Sequence, residues 1–68
     1  MAAKSTRVDE VSSSLTYIGE AAVGADETKP VWRISRITVS GSVTSVHYAN
    51  GSTSWNSAWV DRASLTYS

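Results

Sequence analysis

Between Val31 and Trp55 the hydrophobic and polar positions fall into three β-prone runs separated by Ser40-Gly41 and Asn50-Gly51. Val, Ile, Thr, Tyr and Trp favour the pleated chain, and Asn-Gly favours the positive φ of a two-residue hairpin loop, so the pattern predicts a three-stranded antiparallel meander. A type I′ loop at Asn50-Gly51 also sets a register. It puts Ala49 opposite Ser52, Tyr48 opposite Thr53, His47 opposite Ser54 and Val46 opposite Trp55. Alternation then gathers Val46, Tyr48, Thr53 and Trp55 on an apolar face and Ser45, His47 and Ser54 on a wet one.

Alternation breaks inside the first of these runs. Trp32 and Ile34 share one face, Ile37 and Val39 the other, and the switch near Ser35-Arg36 predicts a β-bulge or a bend between layers. Ser14 to Glu20 predicts a further strand, with Leu15 and Tyr17 on the face opposite Thr16 and Ile18. Its Ser-Leu-Thr-Tyr returns at Ser64 to Tyr67. Two strands of like composition near the ends of a meander predict closure into a small antiparallel five-stranded sheet or an SH3-like barrel.

The remaining segments predict connections. Residues 21–30 hold Gly24, Asp26-Glu27 and Pro30 and read as a long loop, because Pro30 bars helix at Lys29. Trp55 and Trp59 lie one helical turn apart with Asn56 and Ser57 as capping types, which predicts one helical or 3₁₀ turn over 56–61. Residues 1–13 carry only Val8 and Val11 as sizeable apolar groups after the start, at a spacing that suits a helical turn. They read as an extended N-terminal arm, either a flexible tail or a strap along a neighbouring subunit, ahead of a single small β domain over 14–68. The candidate core is Tyr17, Trp32, Ile34, Ile37, Val46, Tyr48, Trp55, Trp59, Leu65 and Tyr67, with turns at Gly41, Asn50 and Gly51.

Composition narrows the function. A chain of 68 residues buries a smaller fraction of its surface than a large domain, and with no cysteine and one histidine neither a disulfide nor a metal site is expected to stabilise it. The remaining routes are tight packing of its three Trp and three Tyr or association with other subunits, and association is the reading preferred. The formal net charge is zero, so no long-range field draws the chain onto nucleic acid or an anionic membrane. No apolar run has transmembrane length and the N-terminus lacks the apolar centre of a secretion signal, which predicts a soluble, unprocessed chain.

Candidate chemistry is sparse. His47 with Ser45 or Ser54 is the conceivable base and nucleophile pair, but all three are expected on the wet face of a flat hairpin without a cleft. The expectation is therefore no enzyme, no cofactor and no small-molecule substrate. Arg33 and Arg36 beside Trp32 suggest a nucleic-acid stripe, whereas net neutrality favours surface charges paired with Glu20, Asp26, Glu27 or Asp61. The clustered Trp residues read as core ahead of a sugar or peptide platform, since the chain has no Phe. Candidate partner contacts are Val8 and Val11 of the arm, Asp26 and Glu27 of the loop, and Arg33 and Arg36.

Four strings taken together carry a resemblance: Tyr17-Ile-Gly-Glu-Ala-Ala22, Val31-Trp-Arg-Ile-Ser-Arg-Ile37, His47-Tyr-Ala-Asn-Gly51 and Trp59-Val-Asp-Arg-Ala-Ser-Leu-Thr-Tyr67. In this order they resemble a group of very small proteins encoded among the virion genes of tailed bacteriophages. The likeness covers residues 17–67 and departs from the group's small-residue loop at Asp26, Glu27 and Lys29. It implies a structural subunit of a phage particle, in a tail, neck, fibre-attachment or capsid accessory position. The implied partners are other phage virion proteins in a homo- or hetero-oligomeric assembly, put together in the bacterial host cytoplasm. The alternative is a free-standing barrel-type module that uses Trp32, Tyr48 and Trp55 to hold a peptide, a glycan or single-stranded nucleic acid.

Overall fold

The computed structural model describes residues 4–68, so residues 1–3 of the expected arm lie outside the described residues. Hydrogen-bonded ladders build four strands, β1 (Lys4–Ser12), β2 (Leu15–Ala22), β3 (Arg33–Ser40) and β4 (Val43–Tyr48), followed by a 3₁₀ turn at Trp59–Asp61. The strands follow one another in the order β1-β2-β3-β4, every neighbour antiparallel. The protein is thus nearly all-β. Among the described residues its sheet is open, where five strands or an SH3-like barrel were expected.

The expected arm is the first correction. Lys4–Ser12 is a strand paired within the chain, with Val8 opposite Ile18 and Asp9 opposite Tyr17. Neither a tail nor a helical turn forms, because the side chains alternate and two of them reach ion-pair partners. Arg7 Nε donates to Glu27 at 2.8 Å and Arg62 Nε donates to Asp9 at 2.9 Å. Ser13-Ser14 makes the β1–β2 turn, in the manner of a serine that bonds its own local backbone. The Ser14 amide donates to the Ser12 hydroxyl at 3.2 Å. A register shift between Glu10 and Ser12 marks a bulge in β1. The bulge expected near Ser35-Arg36 is not there, since β3 keeps one register from Arg33 to Ser40.

The Asn50-Gly51 turn has the two positive φ values that a type I′ loop demands. They are 57° and 63°. The Ser52 amide donates to the Ala49 carbonyl at 3.2 Å. The hairpin does not continue beyond it. Ser52 to Trp55 forms no strand, and the C-terminal residues take the place beside β4. Ala49 bridges Tyr67, the Asn50 amide donates to Thr66, and Tyr48 and Ser68 exchange both amide bonds at 3.2 Å. Ser52-Thr53-Ser54 offers no apolar group to the interior, whereas Leu65 and Tyr67 do. Burial therefore outweighs the local hairpin preference. The terminal Ser-Leu-Thr-Tyr segments do not pair with one another; instead the rings of Tyr17 and Tyr67 meet across the layers at 5.7 Å.

The core lies on one face of the sheet. Register puts Tyr17, Gly19 and Ala21 of β2 on that face with Ile34 and Arg36 of β3, and with His47 and Ala49 at the end of β4. Trp32, Trp59, Leu65 and Tyr67 cover it. Trp32 and Ala21 are fully buried and Ile34 is 1% exposed. The sheet accepts two indoles because it is hollow there: a Cβ on Gly19 would sit 2.5 Å from Trp59 Cε3 and 3.2 Å from Trp32 Cε3. Trp32 Nε1–H donates to the Asp26 carbonyl at 3.1 Å. Its polar atom is therefore satisfied although the ring is buried. Truncating such a residue costs about 3–5 kcal/mol, a large share of the stability of so short a chain.

Candidate interaction surface

The face that sequence alternation marks as interior is the open one. On it Val8, Ile18, Ser35 and Tyr48 form one cross-strand row, and Glu10, Thr16, Ile37 and Val46 form the next. Val8 is 63% exposed, Val46 54% and Val39 40%, so Val46 is corrected from core to surface. Ile37 and Tyr48 are half-buried by their neighbours in the sheet. Of the expected core, Tyr17, Trp32, Ile34 and Trp59 are buried, and Leu65 and Tyr67 pack partly buried against them.

Volume explains the inversion. Among the described residues, the segment ending in Trp32 and the residues after β4 are what is left to cover a face, and their large aromatic rings fit over Gly19, Ala21 and Ala49 rather than over Ile18, Ile37 and Val46. The apolar phase switch in β3 thus reports a strand with an apolar group on each face, not a bend. What sets the molecule apart is where its apolar groups lie.

Trp55 is the second core residue to be corrected. It is 41% exposed at one end of the open face. The Arg33 guanidinium lies 4.4 Å and the Lys4 ammonium 5.6 Å from its ring centre. Both distances are within the reach of cation–π attraction. Arg33 also donates to Glu20 at 2.8 Å. Arg36 points to the opposite, covered face and lies 4.8 Å above the Tyr67 ring, so the two arginines form no common stripe. Arg7 and Arg62 approach Trp32 and Trp59 in the same way, at 5.8 Å and 4.5 Å. These stacks and the Asp9–Arg62 pair lace the sheet to its C-terminal cover, which pairwise reading of the sequence does not reveal.

The loop residues are tied down as well. The Asp26 carboxylate accepts from the Thr28 hydroxyl at 2.7 Å and from the Thr28 amide at 2.9 Å. Those bonds, the hydroxyl first, favour the charged form and hold its pKa below the ordinary value. Glu27 takes Arg7 through its carboxylate and the Val60 amide through its carbonyl. Of the candidate contact residues, Val8 and Val11 lie on β1, Val11 being 55% exposed at the bulge. Asp26 and Glu27 brace the loop, and Arg33 and Arg36 stack on aromatic rings.

His47 is also on the covered side, paired with Arg36 across β3–β4, and its Nδ1 is buried without a hydrogen-bond partner. Ser54 is not opposite it, because residues 52–55 form no strand. Burial, helped by the neighbouring Tyr17, pushes the Tyr67 phenol up to about 12 while its hydroxyl donates to the Arg62 carbonyl at 2.8 Å. Among the described residues no three His, Cys, Asp or Glu side chains gather to hold a metal, and no helix is long and apolar enough to cross a membrane. The chain matches no family model, no characterised protein and no solved structure.

Proposed function

We propose that this protein is a structural subunit of a tailed-phage virion that works through protein–protein contacts, with the open face of its sheet as the principal contact. The observation that carries the contact is the stripe of Val8, Ile18, Ile37, Val46 and Tyr48 left on a sheet face while the single covering layer goes to the other. Apolar sheet faces left exposed mark interaction sites. The virion setting rests on the resemblance, whose strings supply Tyr17, Trp32, Trp59 and Tyr67 to one packed unit. A zero net charge suits a subunit held by neighbours more than a free, abundant chain.

The test is incorporation. Purified particles are expected to contain the chain at a fixed ratio to other virion proteins. Val46→Lys places a charge on the open face without touching the core, so it is expected to keep the circular dichroism spectrum and to lower incorporation at least several-fold. Particles that lack the wild-type chain refute the virion setting. Normal incorporation of a folded Val46→Lys variant refutes the contact face. The module reading keeps Tyr48 and Trp55 on this face but loses Trp32, whose indole is fully buried.

A further inference from the structure

We infer that β1 is a self-complementary edge through which two copies of this chain join antiparallel, merging two four-stranded sheets into one about a twofold axis at Val8. This rests on the edge of β1 alone and stands whether or not the open face meets a virion protein. β1 is nine residues long and contains no proline, and among the described residues it pairs on one side only. Free edges are usually blunted by short length, proline, bulges or charged side chains. β1 is long and free of proline, and its charges at Arg7 and Asp9 are of opposite sign, so they repel a strand of the wrong charge order and admit one of the right order. Its bulge lies between Glu10 and Ser12, which leaves Thr6 to Glu10 regular and available to a second strand.

Charge order selects the partner and the register. In an isologous pair centred on Val8, Val8 meets Val8 of the second copy, Arg7 meets Asp9 twice, and Thr6 meets Glu10 twice. Shifting the axis to Arg7 sets two guanidinium groups face to face, and shifting it to Asp9 does the same to two carboxylates. The Val8 register alone opposes unlike charges with no like pair. It also joins the two existing ion pairs, because Arg7 is held by Glu27 and Asp9 by Arg62 on the same face. The result is a chain of alternating sign, Glu27, Arg7, Asp9, Arg62, crossing the new ladder twice. The other edge left unpaired among the described residues, Val43 to His47, carries no acidic or basic pair to match Arg7 and Asp9.

Charge exchange tests the register directly. Arg7→Asp alone faces Asp against Asp9, and Asp9→Arg alone faces Arg against Arg7, so each variant is expected to dimerise about tenfold or more weakly than wild type by sedimentation. An equimolar mixture of the two variants restores both unlike pairs and is expected to regain the dimer at twice 7.3 kDa. A loss of fold does not mimic that recovery. Independently, because the chain has no cysteine, Val8→Cys supplies the sole thiol. Facing residues of an antiparallel pair lie within disulfide reach, so mild oxidation is expected to yield a covalent dimer. Thr6→Cys, exposed on the same face but displaced by roughly 13 Å along the strand from its twin, is expected not to cross-link. A wild-type monomer at all concentrations, a mixture that stays monomeric, open-ended polymers, or equal cross-linking at positions 6 and 8 overturns the proposal.

Discussion

Replacing Gly19 by Ala isolates the feature that decides which face of the sheet becomes the core. Gly19 does not have positive φ, so alanine is compatible with its backbone and the effect is steric. Its new methyl would lie 2.5 Å from Trp59 Cε3 and 2.7 Å from Cζ3, against ordinary contacts of 3.4–4 Å, with β2 backbone behind it. The indole must retreat by about 1 Å, enough to forfeit a quarter to a half of each contact on the side it leaves. It is also stacked 6.0 Å from Trp32 and capped by Arg62, so the retreat disturbs the centre of the cover. Overpacking of this kind costs about 1–3 kcal/mol, and the reduced freedom of the unfolded chain returns about 0.4–1 kcal/mol. A net loss of about 1–2 kcal/mol lowers the melting temperature by roughly 5–15 °C in a domain of this size. Urea titration followed by tryptophan fluorescence and circular dichroism measures it. In a Trp59→Leu background the same substitution should cost nothing, giving a coupling energy of at least about 1 kcal/mol. An alanine variant as stable as wild type, or an additive double mutant, would refute the claim that the hollow at Gly19 seats Trp59.

Gly51→Val should lower the melting temperature clearly, because a β-branched residue resists positive φ. The φ there is 63°, and the new Cβ would press on Ser68 Cβ at 3.3 Å. Unchanged melting speaks against the type I′ turn. Deleting residues 1–12 should abolish cooperative thermal unfolding, since it removes the β1 ladder and the Arg7–Glu27 and Asp9–Arg62 pairs; a truncated chain that melts as sharply as the full one makes β1 dispensable. Tyr67 has a folded pKa raised from 10.0 to about 12. Because the folded value is the higher one, its contribution to stability is present in full below the unfolded pKa and is lost as the pH rises through the folded pKa. Phenolate absorbance should therefore show Tyr67 titrating late, and Tyr67→Phe should flatten the fall in stability over that window. A fall of equal steepness in the Phe variant assigns the alkaline loss to other groups.

Local chemistry along the chain determined a good deal by itself. Strand propensity marked β2, β3 and β4, Asn50-Gly51 announced a turn with two positive φ values, and the spacing near Trp59 announced one helical or 3₁₀ turn over 56–61, which forms as 3₁₀ over Trp59–Asp61. These are short-range effects, in which the residue carries the preference and its neighbours need only permit it. Gly19 was legible in principle, since a glycine inside a strand signals close approach by another group.

Tertiary packing decided the rest. Alternation assigned Val46 and Tyr48 to the inside by polarity, but a chain this short covers one face only, and shape chose the face where Gly19, Ala21 and Ala49 leave room for Trp32 and Trp59. A polar segment, Lys4–Ser12, became a strand because Asp9 and Arg7 found Arg62 and Glu27 from distant parts of the chain. The place beside β4 went to Thr66, Tyr67 and Ser68 because Tyr67 also brings its ring against Tyr17. Sequence pattern reports which side chains avoid water. Which of them succeed depends on volumes and partners that meet only when the chain is folded.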